Sequence, residues 1–222
     1  MINRQKNRGF TLIEIAIVLV IIGLLLGGVL KGQELINSAK VKNFATDFRN
    51  IPLYIYAYQD KFKALPGDDP RVVTNVAGAT LATTPANLQG NAVIDGAWNT
   101  TTNTDESCLF WQHVRLAGLA AGATTVNCAA NADYWPKNAD GGQIGIQSNG
   151  PGFTTITGMT GTYIICSQGI LGKYVKQLDV MLDDKETSTG SLRAILTTAI
   201  PGAAQTSALI VDSSSYTVCM GI

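Results

Sequence analysis

The chain has 222 residues, with sixteen basic and sixteen acidic side chains, one histidine and four cysteines. That length accommodates one globular domain with its own core. Scattered basic residues without interleaved aromatics argue against a nucleic-acid-binding stripe, and a single histidine excludes a histidine-rich metal site.

The neutral total hides an asymmetry. Arg4, Lys6 and Arg8 precede Gly9, so a chain beginning at Phe10 keeps thirteen basic residues against sixteen acids. Phe10 to Leu30 is apolar, and as a helix it spans about 31 Å, the thickness of a bilayer core. The basic leader before it and the long polar segment after it predict an N-terminus inside and a C-terminus outside. No Ala-x-Ala site follows the run, so it is read as retained rather than removed. Glu14 is the one charged residue within it. A carboxylate in hydrocarbon costs about 2.5–3.5 kcal/mol and calls for a partner. The run itself holds no basic residue. Cleavage before Phe10 would create an amine about one helical turn from Glu14, in the same chain or in a neighbour, and low dielectric would strengthen the pair.

Gly9-Phe10-Thr11-Leu12-Ile13-Glu14, continued by Ile15-Ala16-Ile17-Val18-Leu19-Val20-Ile21-Ile22-Gly23, resembles the class III signal of type IV pilins and type II secretion pseudopilins. The resemblance implies a structural filament subunit, not an enzyme. It implies a prepilin peptidase that cuts after Gly9 and methylates Phe10, with Glu14 as the assembly glutamate. It further implies copies of the chain or other pilins as partners, together with an inner-membrane assembly platform. Localisation would be single-pass in the inner membrane with a periplasmic head, then a pilus or periplasmic filament. A type IV pilus, a type II secretion pseudopilus and a minor tip subunit acting in adhesion all remain open. Many relatives carry a proline in the middle of this helix. Here Gly23, Gly27, Gly28 and Gly32 stand instead. They weaken the helix by about 1 kcal/mol each against alanine and form small pairs suited to close helix packing.

The expected organisation is a leader (1–9), a membrane or filament-core helix (10–30), its amphipathic continuation (31–64) and a head (65–222). Phe44, Phe48, Ile51, Ile55, Tyr58 and Phe62 recur at spacings of three and four, a stripe that should pack on a sheet. Pro52 should bend this helix. Leu65-Pro66-Gly67-Asp68-Asp69-Pro70 ends it, and the two acids are read as turn residues. Val72 to Glu106 is rich in Thr, Ala, Asn and Gly and reads as a long exposed connection laid over a core, with strand fragments such as 91–94; the resemblance implies that it is the variable region between helix and sheet. Phe110, Val114 and Ala117 predict a short amphipathic helix, with His113 at its surface or edge. Ile144 and Ile146 suggest a brief strand, Thr162–Cys166 a clear one, Leu171–Leu182 a helix, and Ser191–Thr197 and Ser215–Met220 further strands. The fold class is therefore α+β, a head built around the C-terminal half of the long helix, and the resemblance implies a pilin-like architecture with that helix packed on an antiparallel sheet.

Cys108, Cys128, Cys166 and Cys219 all follow the apolar run and suggest two disulfides on the oxidising side, among three possible pairings. Cys108–Cys128 would close a local loop and Cys166–Cys219 would join two strands; that pairing is favoured over a zinc site, for which the spacings are too wide. Asp179, Asp183, Asp184 and Glu186 form the densest acidic group. Their hard oxygen ligands suit calcium, without the pattern of an EF-hand. No other cofactor is expected.

Overall fold

A computed structural model describes residues 12–130, 132–150, 152 and 154–222. Helix α1 runs from Leu12 to Phe62 without interruption and carries Pro52 inside it. The described residues fall into two units, one ending at Ala39 and the other formed by Lys40–Ile222. In the first, every residue from Leu12 to Leu30 is exposed. This is the one helix among the described residues that is long and apolar enough to cross a membrane.

In the second unit, α1 buries Val41, Phe44, Ala45, Phe48, Ile51, Ile55 and Tyr58. These positions return every three or four residues, so one face of the helix enters the core. A short α2 (Val72–Asn75) and then α3 (Glu106–Leu116) follow. The sheet comprises β1 (Ile144–Ser148), β2 (Tyr163–Leu171), β3 (Leu192–Leu196) and β4 (Ser215–Gly221), with α4 (Gly172–Leu182) between β2 and β3. Its order is β1-β2-β4-β3, so the last strand in sequence is central. All three pairings are antiparallel. The architecture is thus α+β and pilin-like, a long N-terminal helix packed on a four-stranded antiparallel sheet.

Alternation along the strands assigns the two sheet faces. Ile144, Ile146, Ile165, Ile170, Leu192, Ala194, Tyr216 and Val218 join the main core with the α1 stripe. The intervening Ile164, Cys166, Ile195 and Cys219 form a second cluster with Trp98 and Ile156 on the opposite face. The sheet is therefore covered on both sides, the second by loop residues. Between Ser167 and Ile170 the β2–β4 register shifts. Gly169 lies there with φ +80, the backbone that a bulge with a left-handed residue requires.

The region 72–106 departs from the expected exposed connection. It contains no strand at 91–94, yet Ile94 and Trp98 are buried. The Trp98 amide donates to Gln147 Oε1 at 2.9 Å, and the Ile94 amide donates to Ser148 Oγ at 2.7 Å. Side chains of β1 thus hold the loop where a strand partner would otherwise lie. At Gly145 a Cβ would stand 1.9 Å from the Trp98 carbonyl, so this approach requires glycine.

Candidate functional site

Three groups of residues offer functional chemistry: the start of α1, a buried polar hub in the head, and an acidic turn after α4. Gly9 and Phe10 lie outside the described residues. Glu14 sits in the first turn of α1 and is exposed. A helix N-terminus favours an acidic side chain there. No other charged residue occurs between Leu12 and Leu30. A Cβ added at Gly23, Gly27, Gly28 or Gly32 would meet nothing within 4 Å. Among the described residues, packing within this part of α1 therefore does not require glycine at these four positions.

The hub forms where the loop after α1 meets α3. Asp68 accepts the amides of Ala92 at 2.7 Å and Asn91 at 3.3 Å, and also that of Gly90. Asp69 accepts the Tyr58 hydroxyl at 3.0 Å, the Arg71 amide at 2.8 Å and Asn75 Nδ2 at 2.8 Å. His113 is not at the surface. It is fully buried, its Nδ1 accepting the Gly67 amide at 2.9 Å and its Nε2 facing the Thr80 carbonyl at 2.8 Å. That geometry assigns the proton to Nε2. Burial pushes the imidazole down to about 4, against opposing effects of the Thr80 carbonyl and Asp69. Gln112 receives the Thr80 amide and donates to the Thr124 carbonyl, while Arg115 donates to the carbonyls of Ala123 and Tyr134. The polar face of α3 is thus buried because it satisfies loop backbone that has no sheet to pair with.

Glu106 opens α3 and is also fully buried. Its Oε2 accepts the Asp95 amide at 2.9 Å, whereas Oε1 has no ordinary donor. Burial raises its carboxyl to about 8; the Asp95 amide opposes this, while Asp68 and Asp95 add to it. Glu106 therefore carries a proton at neutral pH that Asp68 can accept. In the unfolded chain it titrates near 4.5. The folded state holds the extra proton between those values, so this contribution to stability is complete below about 4.5 and is lost as pH rises to about 8. His113 acts in the opposite sense, since its lowered value makes stability rise between about 4 and 6.5. Glu106→Gln isolates the first effect. Relative to wild type, the variant should gain stability progressively from pH 5 to pH 8 in urea denaturation series. A constant difference across that range would reject the protonated Glu106.

Cys108 is bonded to Cys128 and Cys166 to Cys219, the pairing read from the spacing. Cys166 and Cys219 are directly opposed on β2 and β4. Their sequence separation is 53 residues against 20 for the other bridge. Chain-entropy reasoning gives each about 2–4 kcal/mol, more for the longer loop. Replacing Cys166 and Cys219 together by alanine should lower head stability by that amount, and by more than the Cys108/Cys128 double variant. Equal losses in chemical denaturation would contradict the ordering.

Asp179, Asp183 and Asp184 converge at the end of α4, with one ligand oxygen of each within 4.8 Å of the others. Glu186 lies beside them, its Oε1 accepting Ser188 Oγ at 2.9 Å and the Ser207 amide at 2.9 Å. Asp179 is fully buried. Burial raises its carboxyl to about 7, reinforced by Asp183, Asp184 and Glu186.

Compared with known protein families, residues 4–30 match the prokaryotic N-terminal methylation motif. No curated protein and no solved structure matches the chain.

Proposed function

We propose, from the class III prepilin signal of type IV pilins and pseudopilins that the chain carries at residues 4–30, that this protein is a structural subunit of a type IV pilus. In this reading prepilin peptidase cuts between Gly9 and Phe10 and methylates the new amine. The apolar part of α1 is held in the inner membrane, with the head on the periplasmic side. An assembly platform then moves the subunit into a filament of its own copies or of related pilins. There Glu14 meets the amine of a Phe10 and sets the axial register.

The observation that carries this reading is the matched motif leading directly into α1, whose apolar stretch has Glu14 as its sole charge. The glycines give independent support. Four helical positions give up about 1 kcal/mol each against alanine, and none of the described residues comes within 4 Å of the space they leave. Close approach of neighbouring helices, or local melting in the filament, would use that space. A disulfide-bonded head suits the oxidising side of the membrane. The role is structural, and the reaction at Gly9–Phe10 is performed on the chain by another protein.

The test is recovery of the head in filaments sheared from cells, combined with deletion of the gene. Presence in surface filaments supports a pilus subunit. Loss of attachment with filaments intact would make it a minor tip subunit. A periplasmic assembly with impaired protein export would make it a secretion pseudopilin. Retention in membranes under conditions that assemble other pilins would reject the filament role.

A further inference from the structure

We propose that a proton shared between Asp68 and Glu106 locks a strap at residues 90–92, and that alkaline pH removes this proton, frees the strap and opens the cavity beside the end of α1. That cavity has a volume of about 500 Å³. Leu65, Asp68 and the strap residues Gly90 and Ala92 line it, together with the exposed Lys63 and Arg71.

The strap owes its shape to one carboxylate. Asp68 gathers three successive amides, those of Gly90, Asn91 and Ala92, the converging arrangement with which backbone holds an anion. Gly90 has φ +88 and Ala92 has φ +65. Left-handed backbone is disfavoured for a residue with a Cβ, so Ala92 keeps it only while Asp68 holds the amides. The following part of the loop is tied by groups that carry no charge. The Ile94 amide donates to Ser148 and the Trp98 amide to Gln147.

Asp68 and Glu106 are both buried. The turn before Asp68 packs on the start of α3 so closely that a Cβ at Gly67 would stand 2.6 Å from the Glu106 carbonyl oxygen. Glu106 Oε2 is engaged by the Asp95 amide, which leaves Oε1 to carry the proton toward Asp68. Among the described residues, none of the ion pairs involves Asp68, Asp95, Asp105 or Glu106. Two buried carboxylates in contact without a cation cannot both ionise, so the closed contact needs the proton.

The surrounding groups decide which acid moves. Asp95 faces both Asp68 and Glu106, and Asp105 faces Asp95, so neither neighbour welcomes a second charge. Tyr58 on α1 donates to Asp69, and Tyr163 on β2 donates to the Ala92 carbonyl at 3.2 Å. Burial lifts both phenols above their usual range, so they stay protonated. On α3, burial pushes His113 down to about 4, so it stays neutral. Lys63, which also meets Asp60 at 3.3 Å, and Arg71 supply positive charge on the cavity. When Glu106 ionises it remains on the Asp95 amide at the start of α3, where the helix dipole favours its charge. Asp68 turns out toward Lys63 and Arg71 and releases the strap amides. Burial raises the Glu106 carboxyl to about 8, so the strap is locked at neutral pH and freed above about 8. With the head outside the inner membrane, as proposed above, this proton exchanges with the surroundings; the device itself does not depend on that placement.

The experiment follows carbon-13 resonances of the full chain in detergent from about pH 6 to about pH 9.5. The side-chain carboxyl of Glu106 reads the proton, and the α-carbons of Gly90 and Ala92 read the backbone of the strap. The expected result is one step with a midpoint near 8 shared by all three, while the α-carbons of Ile94 and Trp98 do not move. Glu106→Gln keeps the shape of the side chain and cannot ionise, so the strap resonances should stay at their neutral-pH positions throughout. A strap that stays still while Glu106 titrates overturns the proposal, as does a Glu106 carboxyl that shows no step near 8, or a strap step that persists in Glu106→Gln.

Discussion

Gly9→Glu should leave the leader on the chain and remove the protein from filaments altogether. Glycine at the cut presents bare backbone, and any side chain there obstructs close approach by an enzyme. The uncut chain also keeps Arg4, Lys6 and Arg8 ahead of α1. Positive charge before a helix start opposes the helix dipole, and no new amine exists to meet Glu14. The head provides the internal control. Its core uses α1 only from Val41 onward, and both disulfides lie beyond Phe62. The variant should therefore accumulate in membranes as a folded, oxidised protein of full length. Immunoblots of membrane and sheared fractions read both outcomes together.

Glu14→Ala should be processed and inserted normally but incorporated roughly tenfold less or worse, the scale of losing a charge pair in low dielectric. Removing the carboxylate relieves about 2.5–3.5 kcal/mol of insertion cost, so a simple anchor would gain from the change. Loss of incorporation beside unchanged insertion thus separates an assembly contact from a tolerated interfacial acid. Glu14→Gln keeps the shape and some hydrogen bonding without the charge, and should resemble the alanine variant if charge is what the partner reads. Normal incorporation of both would assign register to another feature of α1, with the glycine positions next in line.

Elements with regular periodicity were legible in the sequence. The α1 stripe entered the core at its predicted spacing, with Phe62 only partly buried at its end. Helix α4 and strands β3 and β4 formed within a residue or two of their apolar patterns. Strand β2 extended past Cys166 to Leu171 because a bulge at Gly169 lets the ladder resume at Ile170. What periodicity could not show was the hub. Asp68, Glu106 and His113 come from separate segments, and each looks like a turn acid, a helix-start acid or a surface imidazole when read locally. Their burial follows from loop amides and carbonyls that need partners, a demand that exists only once the loops are folded over α3. The burial of Trp98, within the segment read as an exposed connection, was hidden for the same reason, since side chains of β1 hold its loop. In the acidic turn the residue types were visible, but the enclosure of Asp179 was not.

The central claim is that the chain is cut at Gly9–Phe10 and assembled from the new end. Mass spectrometry of the N-terminal peptide of wild-type protein from sheared filaments tests it most directly. The account predicts a peptide beginning at Phe10 and carrying one added methyl group on its amine. A peptide beginning at Met1 or Ile2 in assembled filaments, or one beginning beyond Leu30, would contradict it.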